Sequence, residues 1–177
     1  GNNTRITSSG GDINVTGTGG GSGTSGSNYG VYVLNAAKIF PGGNGHAVIQ
    51  GQGGTASGAS NSGVYLTGAG SQITSANGNV TVTGTGGGSM GSAMNAGVLV
   101  DASASIGASG IGNTTITGQG GNTTGNSNYG VFVSNGNAMI TASQGDINIM
   151  GQGGGNGTSR FNFGVNISTQ GIVDANG

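Results

Sequence analysis

The sequence predicts an all-β parallel β-helix, a β-solenoid with three short strands in each coil of about 33–34 residues and five coils in 177 residues. Three observations predict it. The first is a motif that returns at nearly constant spacing: Asn28-Tyr-Gly-Val-Tyr-Val33, Asn61-Ser-Gly-Val-Tyr-Leu66, Asn95-Ala-Gly-Val-Leu-Val100, Asn128-Tyr-Gly-Val-Phe-Val133 and Asn162-Phe-Gly-Val-Asn-Ile167. The numbers of its asparagines advance in steps of 33, 34, 33 and 34. Self-similarity at such a period marks a supersecondary unit that buries its apolar face only against its neighbours. The second is strict apolar/polar alternation just before a glycine-rich signal, as in Asn79-Val-Thr-Val-Thr83, the pattern of a half-buried strand. The third is composition. A chain with 45 glycines, one proline and 4% charged residues has too little proline and no Gly-x-y period for collagen. Its regularly placed aliphatic residues argue against disorder.

Each coil contains three apolar pieces. The first is centred on one aliphatic residue: Ile6, Ile39, Ile73, Ile106, Ile140 and finally Val173. The second is the alternating run, whose inward pairs are Ile13/Val15, Ala47/Ile49, Val80/Val82, Thr114/Ile116 and Ile147/Ile149. The third is the recurring motif, with Val31/Val33, Val64/Leu66, Val98/Val100, Val131/Val133 and Val165/Ile167 on one side and Tyr32, Tyr65, Leu99, Phe132 and Asn166 on the other. No stretch carries a helical stripe, and frequent glycine would weaken one.

Between the second and third pieces a turn is expected to start at Gly17, Gly51, Gly84, Gly118 and Gly151. The step from each of these to the next motif asparagine alternates, running 11, 10, 11, 10 and 11. Odd and even coils therefore differ, and the unit of duplication is a pair of coils: Ile6, Ile73 and Ile140 are 67 apart, as are Gly17, Gly84 and Gly151. The whole chain, 1–177, reads as one solenoid segment. Its coils run approximately over 5–37, 38–71, 72–104, 105–138 and 139–172, with the start of a sixth at 173–177. Because it begins at Gly1 inside the repeat pattern, it reads as an excerpt or a processed product. At about 4.8 Å per coil, five coils make a rod roughly 24 Å long.

The column Asn28, Asn61, Asn95, Asn128 and Asn162 is expected to form an asparagine ladder at a corner, each amide bonding the local backbone and the amides above and below. The glycines two places on, Gly30, Gly63, Gly97, Gly130 and Gly164, are expected to mark close backbone approach or a positive φ.

Catalysis, metal binding and cofactor binding are not expected. Asp12 and Asp146 occupy equivalent positions four coils apart, roughly 19 Å, too far for paired carboxylates. Asp101 and Asp174 are expected at other corners without acidic partners. His46 reads as a solvated side chain, since no Cys, Glu or second His completes a metal site. Arg5 and Lys38 are equivalent and read as a solvated face. The match Gly21-x-Gly23-x-x-Gly26 leads into a strand rather than a helix, against a dinucleotide site. The glycine-rich turns lack the repeated Asp of calcium solenoids. A net charge of −1 gives no footprint for nucleic acid, and no apolar run is long enough to span a bilayer. Several Asn-x-Ser/Thr sequons, among them Asn14, Asn79, Asn113, Asn122, Asn156 and Asn166, are read as products of composition.

Two surfaces remain as candidate interaction faces. Thr81, Thr83, Thr115 and Thr117 form an outward Thr-x-Thr patch in adjacent coils, suited to cross-strand pairing or to ordering water and binding ice. Tyr32, Tyr65, Leu99 and Phe132 form an outward apolar column, suited to contact with another rod, a loop or a cell-surface glycan.

The run Ile6-Thr-x-x-Gly-x-Asp-Ile-Asn-Val-Thr-Gly-Thr-Gly-Gly-Gly21, followed by Asn28-Tyr-Gly-Val-Tyr-Val33, resembles the repeats of giant bacterial surface proteins of the filamentous-haemagglutinin and autotransporter-adhesin kind. The resemblance spans the chain in texture and period. It implies a right-handed parallel β-helix, secretion to the cell surface, and work as a fibre, sheath or adhesin without catalysis. The resulting expectation is a structural segment of an extracellular fibre that associates with copies of itself end to end and laterally. The alternative is a ligand-binding solenoid, taking ice on the Thr face or glycan on the aromatic column.

Overall fold

The computed structural model describes residues 4–176 and winds them into three parallel sheets. The first coil supplies β1 (Arg5–Ser8), β2 (Ile13–Thr18) and β3 (Val31–Val33). The second supplies β4 (Lys38–Pro41), β5 (Ala47–Gln52) and β6 (Val64–Thr67), and the third β7 (Gln72–Ser75), β8 (Val80–Thr85) and β9 (Val98–Asp101). The fourth contributes β10 (Ser105–Ala108), β11 (Thr114–Gln119) and β12 (Val131–Ser134), and the fifth β13 (Met139–Ala142), β14 (Ile147–Gln152) and β15 (Val165–Ile167). A last strand, β16 (Ile172–Ala175), opens a further coil. Each strand pairs in parallel with its equivalent one coil on. The first sheet therefore has six strands in the order β1-β4-β7-β10-β13-β16, and the second (β2-β5-β8-β11-β14) and third (β3-β6-β9-β12-β15) have five each.

Register stacks like on like: Ile39 pairs with Ile73, Val82 with Ile116, and Val98 with Val131. The aliphatic columns of the three sheets converge on one continuous core, in which Ile49, Leu66, Ile73, Val80, Val98, Ile106 and Ile140 are fully buried. Thr114 interrupts an aliphatic column without leaving its hydroxyl unmet. Its Oγ1 donates to the Thr141 carbonyl at 2.7 Å and accepts from the Ala108 N–H at 3.0 Å. Pro41 locally shortens the first sheet. β4 pairs with β1 over four residues but with β7 over two, because proline has no N–H to offer.

The turn expected at Gly17, Gly51, Gly84, Gly118 and Gly151 starts later. The strands β2, β5, β8, β11 and β14 run through these glycines and the residue after each, and are six residues long. The glycines are needed all the same, because backbone approaches backbone there. A Cβ on Gly84 would lie 2.0 Å from the Gly97 carbonyl oxygen, and one on Gly118 would lie 2.1 Å from that of Gly130. Two glycine columns thus face each other where the second and third sheets converge, and no side chain fits between them.

That contact decides the role of Gly30, Gly63, Gly97, Gly130 and Gly164 in favour of close approach, since none of them has a positive φ. The left-handed position is instead the residue before each asparagine: Ser27, Ser60, Met94, Ser127 and Phe161, with φ of 58°, 65°, 58°, 62° and 59°. The two-coil alternation is visible in the backbone as well. Gly21, Gly88 and Gly155, equivalent positions of the odd coils, take φ of 94°, 89° and 87°, and the shorter turns of the even coils have no counterpart to them.

Candidate functional site

The asparagine column forms a bonded series. Nδ2 of Asn28 donates to Oδ1 of Asn61 at 2.7 Å, Asn61 to Asn95 at 3.3 Å and Asn95 to Asn128 at 2.8 Å. The same oxygens accept the backbone N–H of the preceding asparagine: Asn61 Oδ1 from Asn28, Asn95 from Asn61, Asn128 from Asn95 and Asn162 from Asn128, at 2.9–3.3 Å. Nδ2 also ties the local turn through the carbonyls of Ser25, Gly58 and Gly125. The inner rungs Asn61, Asn95 and Asn128 are fully buried and shielded from water. The geometry is that of a spine, and its inner rungs offer no free group to a ligand.

A second ladder runs along the column Asp12, His46, Asn79, Asn113 and Asp146, and its polarity is reversed. Here each side chain accepts the N–H of the following coil: Asp12 Oδ1 from His46, His46 Nδ1 from Asn79, Asn79 Oδ1 from Asn113, and Asn113 Oδ1 from Asp146, at 2.8–2.9 Å. His46 is exposed, as expected of a solvated side chain, and it is also a rung of this ladder. Its Nδ1 serves as acceptor, which places the ring proton on Nε2. Asp12 and Asp146 stand at opposite ends of the column.

The aromatic face is more folded over than a simple outward column. Tyr32 is exposed, but Tyr65, Leu99 and Phe132 are half-buried. The cause is a neighbouring column at positions 29 and 129, which is aromatic in some coils and small in others and so carries no periodic signal. The Tyr29 ring lies 4.8 Å from Tyr32 and 5.0 Å from Tyr65, while Tyr32 and Tyr65 stack at 5.2 Å and 13°. At the other end Tyr129 lies 4.5 Å from Phe132 and 6.0 Å from Phe163. Between these two clusters the aromatic residues give way to Ser62, Ala96 and Leu99.

The result is a cleft of about 160 Å³. Tyr65 and Phe132 stand at its two ends with Leu99 between them, and Asp101, Ser134 and Asn135 form one rim. Asp101 is held by neutral donors only among the described residues: Tyr65 Oη at 3.3 Å, Asn135 Nδ2 at 2.7 Å and Ser134 Oγ at 3.5 Å. Burial pushes the Tyr65 phenol above its ordinary value, with the negative charge of Asp101 adding to it and the Thr67 hydroxyl working against it. Tyr32, although exposed, is also raised, by desolvation of the part packed against its aromatic neighbours and secondarily by Tyr29. Ser62, fully buried at the cleft, carries the one buried side-chain polar atom among the described residues that has no hydrogen-bond partner, its Oγ. Leaving such a group unmet costs about 1–3 kcal/mol.

Thr81 pairs with Thr115 and Thr83 with Thr117 in adjacent strands of the second sheet. Thr85 extends the row within β8, but Val48/Gln50 and Asn148/Met150 interrupt the columns on either side. Asp174, expected at a corner, lies within β16 opposite Thr141. Arg5 and Lys38 are register neighbours on β1 and β4. Among the described residues no group of three His, Cys, Asp or Glu side chains stands close enough to hold a metal ion. No helix long and apolar enough to cross a membrane is present among them.

No family model, curated protein or solved structure matches the chain. Its architecture stands on its own geometry: a parallel β-solenoid of about five coils. The second ladder is hidden from sequence reading because its residues differ in name and share only an acceptor atom. The signal that could have found it is that every member of the column can accept a hydrogen bond.

Proposed function

We propose that this chain is a structural segment of an extracellular bacterial surface fibre or adhesin, which grows by stacking coil on coil and carries no catalytic step. The observation that carries the reading is the contrast between inner and outer coils. Val131 and Val133 are fully buried, whereas their partners in the next coil, Val165 and Ile167, are 40% and 46% exposed. At the opposite face Ile6 is 49% exposed although Ile73 and Ile106 in the same column are fully covered.

The end face after the last full coil therefore presents interior aliphatic side chains, Val165, Ile167 and Val173, whereas in the first coil Ile6 is exposed while Ile13, Val31 and Val33 remain buried. Among the described residues both faces carry the edges of three parallel strands. Open strand edges of this kind pair readily with another strand, and in stacked repeats each coil is stabilised by its neighbours. A further coil covers such a face whether it comes from the same chain or from another. The texture of the repeats, shared with filamentous-haemagglutinin-like surface proteins, supports secretion and a place at the cell surface. The two spines of side-chain hydrogen bonds suit a mechanical role, since they tie each coil to the next along the axis.

Sedimentation velocity across a range of concentrations, with electron microscopy of the same samples, tests the reading. The expected result is end-to-end assembly that rises with concentration and is abolished by Val165→Lys combined with Ile167→Lys. A size independent of concentration, with no fibres and no effect of the lysines, contradicts it.

A further inference from the structure

We infer that the cleft between the two aromatic clusters on the third sheet binds a single neutral pyranose ring of a glycan. Along this face side chains repeat at the interstrand spacing. Tyr65 and Phe132, separated by the one intervening rung Leu99, therefore stand about 9.6 Å apart. One face of Tyr65 is already covered by Tyr32, stacked at 13°, so its other face looks into the cleft.

Leu99 occupies the base of this two-rung interval but is shorter than either ring, so the open space lies above it and is wider than a flat aromatic ligand needs between two rings. It suits a thicker, saturated ring whose C–H groups meet the negative faces of the aromatics. The volume of about 160 Å³ falls below the ~300–1,000 Å³ typical of pockets for drug-sized ligands, so it admits one ring rather than an extended molecule.

The polar groups specify hydroxyls. The Asp101 carboxylate receives Tyr65, Asn135 and Ser134, which leaves one of its roughly four acceptor positions for a ligand O–H. Asn135 adds amide chemistry on the same rim. Ser62, buried beside Tyr29 and Tyr65, has a hydroxyl with no partner. A carboxylate bonded by neutral groups alone disfavours anionic sugars, and the lack of a second acid disfavours a metal ion.

The site lies on the side of the rod, away from the end faces, so its test is independent of coil stacking. The chain 1–177 is titrated with the methyl glycosides of glucose, galactose, mannose and N-acetylglucosamine, followed by backbone-amide NMR. The expected result is saturable shifts for at least one glycoside, centred on Ser62, Leu99, Asp101 and Asn135. Asp101→Asn is expected to weaken that binding about tenfold. Leu99→Phe, which continues the aromatic stack through the gap without disturbing the interior, is expected to abolish it while the thermal midpoint is unchanged or raised. Absence of saturable shifts at 50 mM of every glycoside overturns the inference, and so does binding that survives Leu99→Phe.

Discussion

Replacing Asn95 by alanine removes the central rung of the asparagine ladder, and the consequences can be counted bond by bond. The Nδ2 donor to Asn128 Oδ1 at 2.8 Å is lost, but that oxygen keeps the Asn95 N–H at 3.2 Å. Loss of Asn95 Oδ1 is more serious, because it accepts the Asn61 N–H at 3.0 Å, the Ser92 hydroxyl at 2.9 Å and the Asn61 Nδ2 at 3.3 Å. Asn61 is fully buried, so its N–H is left unmet in a dry interior at a cost of about 1–3 kcal/mol, with roughly 1 kcal/mol more for the lost Nδ2 bond. The expected total is about 3 kcal/mol.

Asn28→Ala is the control. Each Oδ1 serves the coil before it, and among the described residues no coil precedes Asn28, so truncation orphans no backbone group and costs about 1 kcal/mol. In a chain of this size the two losses correspond to falls in Tm of about 6–12 °C and 2–4 °C, read by circular dichroism. Equal falls for the two variants, or an Asn95→Ala protein within a degree of the parent, would refute the reasoning that ladder polarity decides the cost.

The second ladder predicts that His46→Asn, which keeps an acceptor for the Asn79 N–H, leaves stability unchanged, while His46→Phe lowers it by about 1 kcal/mol or less; urea midpoints of the two variants check this. Gly84→Ala places a Cβ 2.0 Å from the Gly97 carbonyl oxygen, whereas a Cβ on Gly91 meets nothing within 4 Å. The first is expected to cost about 3 kcal/mol or more and the second almost nothing in the same denaturation assay. Tyr65, raised above its ordinary value chiefly by burial, favours the folded state below the unfolded phenol value of about 10, and that advantage is lost as pH climbs through the higher folded value. Stability measured from pH 9 upward should fall less steeply in Tyr65→Phe than in the parent.

The strand columns were legible because inward positions such as Ile39, Ile73, Ile106 and Ile140 repeat both in kind and in spacing, and stacked parallel strands demand that constancy. The second spine was not, because Asp12, His46 and Asn79 look unrelated until their shared acceptor is placed against the next N–H. Glycine content marked the turns but concealed which glycines face each other. Gly84 against Gly97 is a contact between sheets, and one-dimensional spacing does not order it. The left-handed residue is likewise invisible by name, since Ser27, Met94 and Phe161 share only the place before an asparagine. The cleft escaped notice because it arises from an interruption, Ser62 and Leu99 where neighbouring coils carry Tyr29, Tyr65 and Phe132.

Fibre diffraction from oriented native material tests the stacked-coil account most directly. The account predicts a strong meridional reflection at about 4.8 Å from the interstrand repeat. It also predicts a weaker one at about 9.6 Å, twice that spacing, because the unit of duplication is a pair of coils. Absence of the ~4.8 Å reflection along the fibre axis, or its appearance perpendicular to that axis, would contradict the claim that these coils stack into a continuous rod.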